Sequence, residues 1–360
     1  MRKLATIRRI KEIKSHPNAD LLDIAVVDGW QLVTAKDNNF VAGDLVLYME
    51  IDAWIPTEVA DFLSKGKEPR EFNGVKGERL RTIKLRGELS QGLILPVHND
   101  HTGTYLRIID EHGEHSVSVQ EGDDVTDLLN IQKWEPTIPA QLAGEVKGLF
   151  PSFIPKTDQE RVQNLVEFVE GDWQLLDFEV SLKLDGTSCT IYRKQDEVGI
   201  CSRNWELKIN DSNQDNSYIK ATTDAGLIAA LEALNLNIAI QSELLGPGIQ
   251  SNREGLKRTT LFMFDAYNID TNKYLTSAER ADLYEKLINA GASSEVFKQA
   301  PVIEVTTLSN IGMTVNDILA YAEGPSLTHA VREGVVFKCI SDTSVSFKSI
   351  SNAFLLKEKD

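Results

Sequence analysis

One stretch in the middle of the chain, residues 178–192, combines two strand-like patterns around a turn. Its first half has apolar residues at every second position: Phe178, Val180, Leu182 and Leu184. A period of two predicts a β-strand with one buried face, so Lys183 and Asp185 share the opposite face. Asp185-Gly186 is a tight-turn signal, and 190–192 predicts a second strand. On this pattern alone, the simplest interpretation is a hairpin whose lysine keeps an exposed face soluble.

The first part of the chain has short strand patterns separated by turn signals. Strands are predicted over 23–27, 30–34 and 45–49, with turns at Asp28-Gly29 and Gly43-Asp44. Strands at this spacing predict a small OB-like β-barrel, which we assign to residues 1–130.

A basic stretch lies inside this predicted barrel. Residues 65–86 contain three acidic and eight basic side chains, the latter being Lys65, Lys67, Arg70, Lys76, Arg79, Arg81, Lys84 and Arg86. A solvated loop is one interpretation. The other is a surface that follows a phosphate backbone and binds RNA.

Prolines mark the end of the barrel. Residues 131–156 have little periodicity and contain Pro136, Pro139, Pro151 and Pro155, which predicts a linker. A second domain, 157–360, follows. Thr157 and Glu160 have capping-box spacing and predict a helix start, as do Thr276 and Glu279. Helices are predicted over 218–234, 276–290 and 315–322, and strands over 238–245, 261–268 and 334–340.

The composition is that of a soluble globular protein. The 360 residues suit two domains, with 42% hydrophobic and 26% charged residues. Without a signal-peptide pattern or an apolar run of about 18 residues, we expect a cytoplasmic protein with no membrane association. Three scattered cysteines indicate a reducing compartment. The net charge of −16 argues against a bulk nucleic-acid coat protein but allows a local basic surface.

A histidine cluster offers a further possibility. His98, His101, His112 and His115 form two H-x-x-H pairs that could ligate zinc. Structural zinc sites usually recruit cysteine, and the residues between them resemble a polar hairpin, which is the interpretation we prefer.

Five short motifs follow the Lys183-Leu184-Asp185-Gly186 turn in a fixed order. They are Ser-Arg-Asn at 202–204, Gln-Ser-Glu-Leu-Leu-Gly at 241–246, Phe-Met-Phe-Asp-Ala-Tyr at 262–267, Arg-Glu-Gly-Val-Val-Phe-Lys at 332–338 and Ser-Phe-Lys-Ser-Ile-Ser at 346–351. This ordered set resembles the covalent nucleotidyltransferases, the superfamily of ATP-dependent ligases and RNA capping enzymes. Within it the chain is most similar to ATP-dependent RNA ligases with an OB domain ahead of the catalytic domain, the Deinococcus and Naegleria group.

The resemblance implies a fold and a reaction. The fold is α+β, with an N-terminal OB-like β-barrel followed by an ATP-grasp-like nucleotidyltransferase domain built on antiparallel sheets with flanking helices. The Lys183 amine attacks the α-phosphorus of ATP and forms lysyl-AMP. AMP passes to an RNA 5′-phosphate, and a 3′-hydroxyl then expels it, with Mg²⁺ or Mn²⁺ required. Nicks in duplex RNA are the expected substrate, and a monomer is the expected state.

Site residues carry over from the resemblance one by one. The implied catalytic residues are Lys183, Arg203, Glu243, Glu333 and Lys348. These also hold the nucleotide, together with Asp185, Gly186 and Phe264, whose ring stacks on adenine. Glu243 and Glu333 suit hydrated Mg²⁺ because carboxylate oxygens are its preferred ligands. Only about one free lysine in 2,500 is neutral at pH 7, so a neighbouring cation, Lys348 by expectation, or a metal must lower the pKa of Lys183.

Two departures and two alternatives remain open. Leu182 stands where many relatives have glutamate, and Ser346 stands where they often have a second lysine. One alternative is an RNA-binding repair or tRNA-handling factor without ligase activity, and the other is a DNA ligase that tolerates RNA. DNA ligases carry their OB domain after the catalytic domain, and only twelve residues follow Lys348 here. No Walker A motif supports a P-loop kinase.

Overall fold

A computed structural model describes residues 3–100, 103–110, 113–134 and 144–357. The chain divides into two compact units, Met1–Thr137 and Ile138–Asp360. Both contain antiparallel sheets, and helices are concentrated in the second unit. In the described residues, no helix is long and apolar enough to cross a bilayer. The α+β class predicted from the sequence is confirmed.

The first unit is built from short strands. In chain order they are β1 (Ala5–Ser15), β2 (Leu22–Val27), β3 (Trp30–Ala35), β4 (Leu45–Met49), β5 (Ala53–Pro56), β6 (Arg70–Phe72), β7 (Val75–Arg79), β8 (Thr82–Leu85), β9 (Glu88–Gln91), β10 (Leu93–Pro96), β11 (His98–Asp100), β12 (Gly103–Asp110), β13 (Gly113–Ser118) and β14 (Gln132–Lys133). The three strands predicted over 23–27, 30–34 and 45–49 are among them.

The long strand β1 organises the first unit. It pairs with β2 on one side and β4 on the other, within a sheet of order β10-β4-β1-β2-β3. The Asp28-Gly29 turn joins β2 to β3 as a hairpin, as predicted. Strand β9 lies against β3, where Val33 N donates to Ser90 Oγ at 3.0 Å. Ile7, Leu47 and Ile55 are buried in one core because alternate side chains of these strands point inward.

The second unit has twelve strands and all the α-helices of the described residues. Its strands are β15 (Val146–Leu149), β16 (Asp177–Lys183), β17 (Thr187–Lys194), β18 (Glu197–Cys201), β19 (Trp205–Leu207), β20 (Ile238–Leu245), β21 (Thr260–Asn268), β22 (Lys273–Tyr274), β23 (Phe297–Gln299), β24 (Val302–Thr307), β25 (Gly334–Cys339) and β26 (Ser346–Ile350). Its helices are α1 (Val166–Val169), α2 (Ser217–Asp224), α3 (Leu227–Leu234), α4 (Ser277–Asn289), α5 (Leu308–Ile311), α6 (Val315–Tyr321) and α7 (Asn352–Leu355).

Two sheets form this unit. The larger has the order β15-β19-β18-β17-β20-β21-β22, with β23 parallel to β21, and the smaller has the order β24-β16-β25-β26. Residues of α3 and α4, including Leu227 and Leu283, pack on the larger sheet in one core. Phe178, Phe337 and Phe347 of the smaller sheet pack in another core with residues of α6.

The central stretch does not form the hairpin that its pattern suggested. β16 pairs with β24 and β25, whereas β17 pairs with β18 and β20, so the Asp185-Gly186 turn carries the chain from one sheet to the other. The prediction of one buried face is also wrong. Glu179 and Ser181 are buried along with Phe178 and Val180, because polar partners satisfy the second face. Glu179, for example, accepts a hydrogen bond from buried Arg280.

The helix predictions hold in part. A capping box between Thr276 and Glu279 begins α4, as predicted. The helix predicted over 218–234 is two helices, α2 and α3, because Gly226 between them has φ of 67°. Thr157 and Glu160 form no capping box. The Glu160 carbonyl accepts from Lys348 N at 2.8 Å, and this pairing with β26 holds the segment extended.

The segment 131–156, predicted to be a linker, contributes residues to sheets at both ends. Gln132–Lys133 pairs with β5 in the first unit, and Val146–Leu149 pairs with β19 in the second. Pro155 O accepts a hydrogen bond from Gln241 Nε2 at 2.8 Å. Residues 135–143, with two of the predicted linker prolines, lie outside the described residues.

Candidate active site

Lys183 is the last residue of β16 and lies beside the start of β25. The β16–β25 register places Lys183 opposite Gly334. Glu333, the residue before Gly334, is therefore close to Lys183, although the two residues are 150 positions apart in the sequence. Lys183 Nζ donates to Glu333 Oε1 at 2.6 Å. The two side chains are only 28% and 15% exposed. The predicted nucleophile therefore forms a half-buried ion pair.

Two more carboxylates surround this pair. Glu243 lies on β20 and accepts a hydrogen bond from Gly186 N at 3.1 Å. Asp185 lies two residues after Lys183 in the sequence. Burial raises the pKa of Glu243 to about 8, partly opposed by the Lys183 charge. Burial also raises the pKa of Asp185, and the charge of Glu333 adds to that effect. The turn between the two sheets thus gathers acidic groups that disfavour one another's ionised forms.

The charge on Lys183 is stabilised in this arrangement. Burial by itself lowers the pKa of its amine, but Glu333 and Glu243 outweigh burial and the pKa is raised. The expectation that a neighbouring cation lowers this pKa is therefore wrong for the free protein. Lys348, the expected cation, has its ammonium 3.0 Å from Asp158 Oδ1. The physical reason is the excess of carboxylates around the amine.

Arg203 also contacts Asp158. Its guanidinium lies 3.7 Å from Asp158 Oδ2, and its side chain is 48% exposed. Lys348 belongs to β26 in the smaller sheet, and Arg203 follows β18 of the larger sheet. One carboxylate that sequence reasoning missed therefore contacts two of the predicted nucleotide-binding cations. The only pattern in the sequence near Asp158 is the capping-box spacing of Thr157 and Glu160, and that pattern predicted a helix.

The acidic cluster fits a hydrated divalent cation. Glu333 Oε2 is buried without a hydrogen-bond partner, although Oε1 of the same carboxylate binds Lys183. A cation would satisfy this oxygen. Within the described residues, no three His, Cys, Asp or Glu side chains converge closely enough to enclose a bare ion. Glu333, Glu243 and Asp185 therefore suit an ion that keeps several waters, as Mg²⁺ usually does.

Phe264 lies at an irregular point of β21. The β20–β21 register pairs Gln241 with Asp265 and Ser242 with Met263, so Phe264 is the extra residue of a β-bulge. It is partly exposed, unlike Phe262 and Met263. Lys338 Nζ donates to the Phe264 carbonyl, pairs with Asp265 at 2.8 Å and lies 5.7 Å from the centre of the Phe264 ring. The bulge and the buried lysine fix the position of the ring.

Gly186 is required by close packing. A Cβ on Gly186 would lie 2.4 Å from the Leu244 carbonyl oxygen of β20. From the family resemblance we expected glycine at this position because the backbone comes close to the nucleotide. In the free protein, the close neighbour is the adjacent strand, and the Gly186 amide is thereby directed at Glu243.

Arg253 is another residue that the sequence did not single out. Its guanidinium lies 3.6 Å from Asp185 Oδ2, donates to Val331 O at 3.1 Å and lies 4.6 Å from the Phe354 ring centre. It connects the Lys183 turn, the loop before Glu333 and helix α7. No periodic pattern surrounds Arg253 in the sequence, so nothing there indicated these contacts.

Ser346 occupies the position where many relatives have lysine. In the structure it begins β26 and lies opposite Lys338 of β25. Leu182, at the other departure, is a partly buried residue that packs with Leu184, Leu245 and Phe262. Ser346 is thus accommodated within the smaller sheet, whereas Leu182 packs against residues of β20 and β21 in the larger sheet.

The basic stretch of the first unit is only partly neutralised. Arg70 pairs with Glu78, Lys76 with Glu68, and Arg79 with Asp52. In the described ranges, no salt bridge involves Lys65, Lys67, Lys84 or Arg86. Lys84 and Arg86 are exposed on the β8–β9 hairpin, beside Ile83, whose exposure is 44%. His16 Nε2 and Asn18 Nδ2 bond the Leu85 and Arg86 carbonyls at 3.0 and 3.1 Å and hold the tip.

Two of the four histidines considered for zinc are described. His98 stacks on Tyr105 with ring centres 5.4 Å apart, and His115 Nδ1 lies 3.4 Å from Gly113 O. His101 and His112 lie outside the described residues. The zinc alternative therefore gains no support from the part of the chain that the structure covers.

Comparisons with known proteins agree with this geometry. Residues 4–97 match a family model of an OB-fold domain, and residues 176–350 match the RNA ligase family model. The first match confirms the predicted OB-like barrel. Comparison with curated protein sequences finds no match.

Solved structures extend the similarity over the full length. A mutant of Naegleria gruberi RNA ligase with ATP and Mn is 43% identical, with a TM-score of 0.85 over 100% of both chains. A mutant of that ligase with AMP and Mn is 42% identical, with a TM-score of 0.85 over 100% of both chains. The ligase with PPi is 42% identical, with a TM-score of 0.84 over 99% of this chain and 98% of that chain. The motif-based recognition is confirmed: the chain belongs to the RNA ligase family.

Proposed function

We propose that this protein is an ATP-dependent RNA ligase that joins 3′-hydroxyl and 5′-phosphate RNA ends through an AMP intermediate on Lys183. The observation that carries the proposal is the Lys183 amine, held 2.6 Å from Glu333 and next to Glu243 at the junction of two sheets. The relatives with ATP, AMP and PPi support it, because AMP transfer from ATP releases pyrophosphate.

In the first step, the nitrogen of Lys183 forms a bond to the α-phosphorus of ATP while the bond to pyrophosphate breaks. The attacking nitrogen must be neutral, so the proton now shared with Glu333 has to leave. A divalent cation supplies charge that stabilises the phosphate oxygens. An ion held by Glu333, Glu243 and Asp185 would neutralise the charges that raise the pKa of Lys183, and the effect of burial, which lowers this pKa, would then be unopposed.

The other side chains hold the nucleotide. Lys348 contacts the α-phosphate, Arg203 contacts the ribose or the RNA end, and Phe264 stacks on adenine. Glu243, Glu333 and Asp185 hold the ribose and the hydrated metal. Stacking is supported by the exposed side of the bulged Phe264, and the metal role by the unpartnered Glu333 oxygen. Fixed charges of this kind act best when they are in place before the reaction.

In the next steps, AMP passes from Lys183 to the RNA 5′-phosphate, and the 3′-hydroxyl oxygen displaces AMP from it. We place the RNA contact of the first unit on the β8–β9 hairpin, because Lys84 and Arg86 are exposed and the tip is held rigidly. Nicked duplex RNA is the substrate we propose. We further expect a cytoplasmic monomer.

The test is labelling with ATP that carries ³²P at the α-phosphate, after pyrophosphate treatment to remove bound AMP. Wild type and the control Lys298→Ala, an exposed lysine of β23, should form a labelled band on a denaturing gel. Lys183→Ala should not. A labelled Lys183→Ala protein would overturn the assignment of the nucleophile.

The nucleic acid is tested separately with nicked duplexes. We expect sealing when the 3′ end is ribose, and slower sealing when it is deoxyribose, because the 2′-hydroxyl is the group a protein can read. Equal rates would favour a DNA ligase that tolerates RNA. Single-stranded ends sealed faster than nicks would contradict the duplex substrate.

A further inference from the structure

The segment 150–161 connects the two sheets of the second unit. At its beginning, Phe150 N donates to Asn204 O at 2.9 Å, and Pro155 O accepts from Gln241 in the larger sheet. At its end, Glu160 O accepts a hydrogen bond at 2.8 Å from the backbone N of Lys348, which belongs to the smaller sheet. Backbone groups of the segment are therefore hydrogen-bonded to both sheets, and Asp158 lies between Pro155 and Glu160.

Asp158 uses a different oxygen for each sheet. Oδ1 is 3.0 Å from Lys348 Nζ and Oδ2 is 3.7 Å from Arg203. Without an anion between them, the two cations would repel each other. The Lys348 side chain is only 12% exposed, so its position responds strongly to a neighbouring charge. The carboxylate thus sets the spacing of two cations that arise from separate sheets.

We propose that Asp158 is a positioning residue of the nucleotide site, which aligns Lys348 and Arg203 for the α-phosphate and its transfer to Lys183. This inference rests on the proposed function of the two cations. An ammonium has three donors, so Lys348 can keep Asp158 as one partner and direct the other two at phosphate oxygens.

If Asp158 positions the two cations, its replacement should lower the rate of lysyl-AMP formation without weakening the binding of ATP. Asp158→Asn keeps the shape of the side chain but removes the charge that holds both cations. We expect the rate of lysyl-AMP formation at saturating ATP to fall about tenfold, since small misplacements at a reaction centre cost at least that much. The Kd of ATP should stay the same or fall, because a negative charge near the phosphates is lost.

The experiment measures single-turnover adenylylation rates and ATP binding for wild type, Asp158→Asn and Asp158→Glu. Asp172→Asn, an exposed carboxylate of the same unit, controls for net charge. Asp158→Glu should recover part of the rate. In a Lys348→Ala background, Asp158→Asn should have a markedly smaller effect, because the positioned cation is already gone.

Two outcomes overturn the inference. One is an unchanged rate in Asp158→Asn. The other is ATP binding that weakens in parallel with a lower Tm, which is what a purely structural role of the 150–161 segment would produce. The two proposals can be distinguished. If only the positioning role of Asp158 is wrong, Lys183→Ala will still abolish labelling with ATP.

Discussion

Lys183 Nζ lies 2.6 Å from Glu333 Oε1, although the two residues are 150 positions apart in the sequence. The contact follows from the pairing of β16 with β25, which places Lys183 opposite Gly334. The ion pair stabilises the protonated amine, whereas nucleophilic attack needs the neutral amine. The ion pair thus opposes formation of the neutral amine, and compensation of the carboxylate charges would favour it.

Replacing Glu333 should lower the pKa of Lys183. In Glu333→Gln, the opposing effect of burial remains while the largest charge that raises the pKa is lost. We expect Lys183 to react with acetic anhydride at lower pH than in wild type, as measured by mass spectrometry of the modified peptide. Adenylylation by the same variant should still fall, because Glu333 is also a proposed metal residue. A reactivity profile that matches wild type would contradict the account of this ion pair.

Metal binding should strengthen as pH rises toward 8. Burial raises the pKa of Glu243 to about 8, so the carboxyl is largely protonated at pH 6.5 and ionised above pH 8. A cation binds the ionised form and must displace the proton at lower pH, so affinity increases by up to about tenfold per pH unit below the pKa. Free Mn²⁺ measured by electron paramagnetic resonance reports this affinity.

Glu243→Gln is the matched variant for that measurement. It keeps the hydrogen bond from Gly186 N but cannot lose a proton. The variant should bind Mn²⁺ more weakly and with a shallower pH dependence between 6.5 and 8.5. Equal pH dependence in the two proteins would show that another group controls metal binding.

Phe264→Ala should weaken ATP binding more than it slows adenylylation at saturating ATP. Stacking of a base on an aromatic ring contributes about 1–3 kcal/mol, which corresponds to about 5- to 150-fold in Kd. Lys348→Ala should show the reverse pattern, with a slower reaction and a smaller change in affinity. Isothermal titration and single-turnover labelling separate the two effects, and Phe62→Ala in the first unit is the control. Wild-type kinetics in both variants would mean that the nucleotide binds elsewhere.

The β8–β9 hairpin should contribute to RNA binding through charge. Lys84→Ser combined with Arg86→Ser removes two exposed cations without a salt bridge in the described residues, and should weaken binding of nicked duplex. The slope of log affinity against log salt concentration should become shallower by roughly 1 to 2. Arg70→Ser, which removes a cation paired with Glu78, is the control. Lysine adenylylation without RNA should be unchanged, and an unaltered salt dependence would exclude this surface.

A buried ion pair supports the stability of the second unit. Arg280 of α4 donates to Glu179 of β16, and their side chains are 6% and 10% exposed. Arg280→Met leaves a buried carboxylate without its partner and should cost about 3–5 kcal/mol of unfolding free energy. Arg258→Met, which removes an exposed pair with Glu295, should cost less than about 1 kcal/mol. Urea denaturation compares them, and equal losses would contradict the role of burial.

The sequence by itself determined the elements with a strong local pattern. The strands β2, β3, β4 and β20, and helix α4 with its capping box, follow from periodicity and cap chemistry acting over a few residues. The OB-like barrel could also be predicted from the spacing of its short strands. The family could be predicted because the motifs keep their order along the chain. Lys183 was identified in the same way, from a short motif on a strand end.

Tertiary structure decided which elements meet. The Asp185-Gly186 turn looked like a hairpin, but its two strands belong to different sheets because β16 pairs with the distant strands β24 and β25, whereas β17 pairs with β18 and β20. The extended form of 157–161 came from pairing with β26 rather than from its own capping pattern. The raised pKa of Lys183 and the contacts of Asp158 and Arg253 likewise depend on residues distant in sequence. Local pattern encodes an element's type, whereas charge environment and partner choice are set by packing between segments far apart in the chain.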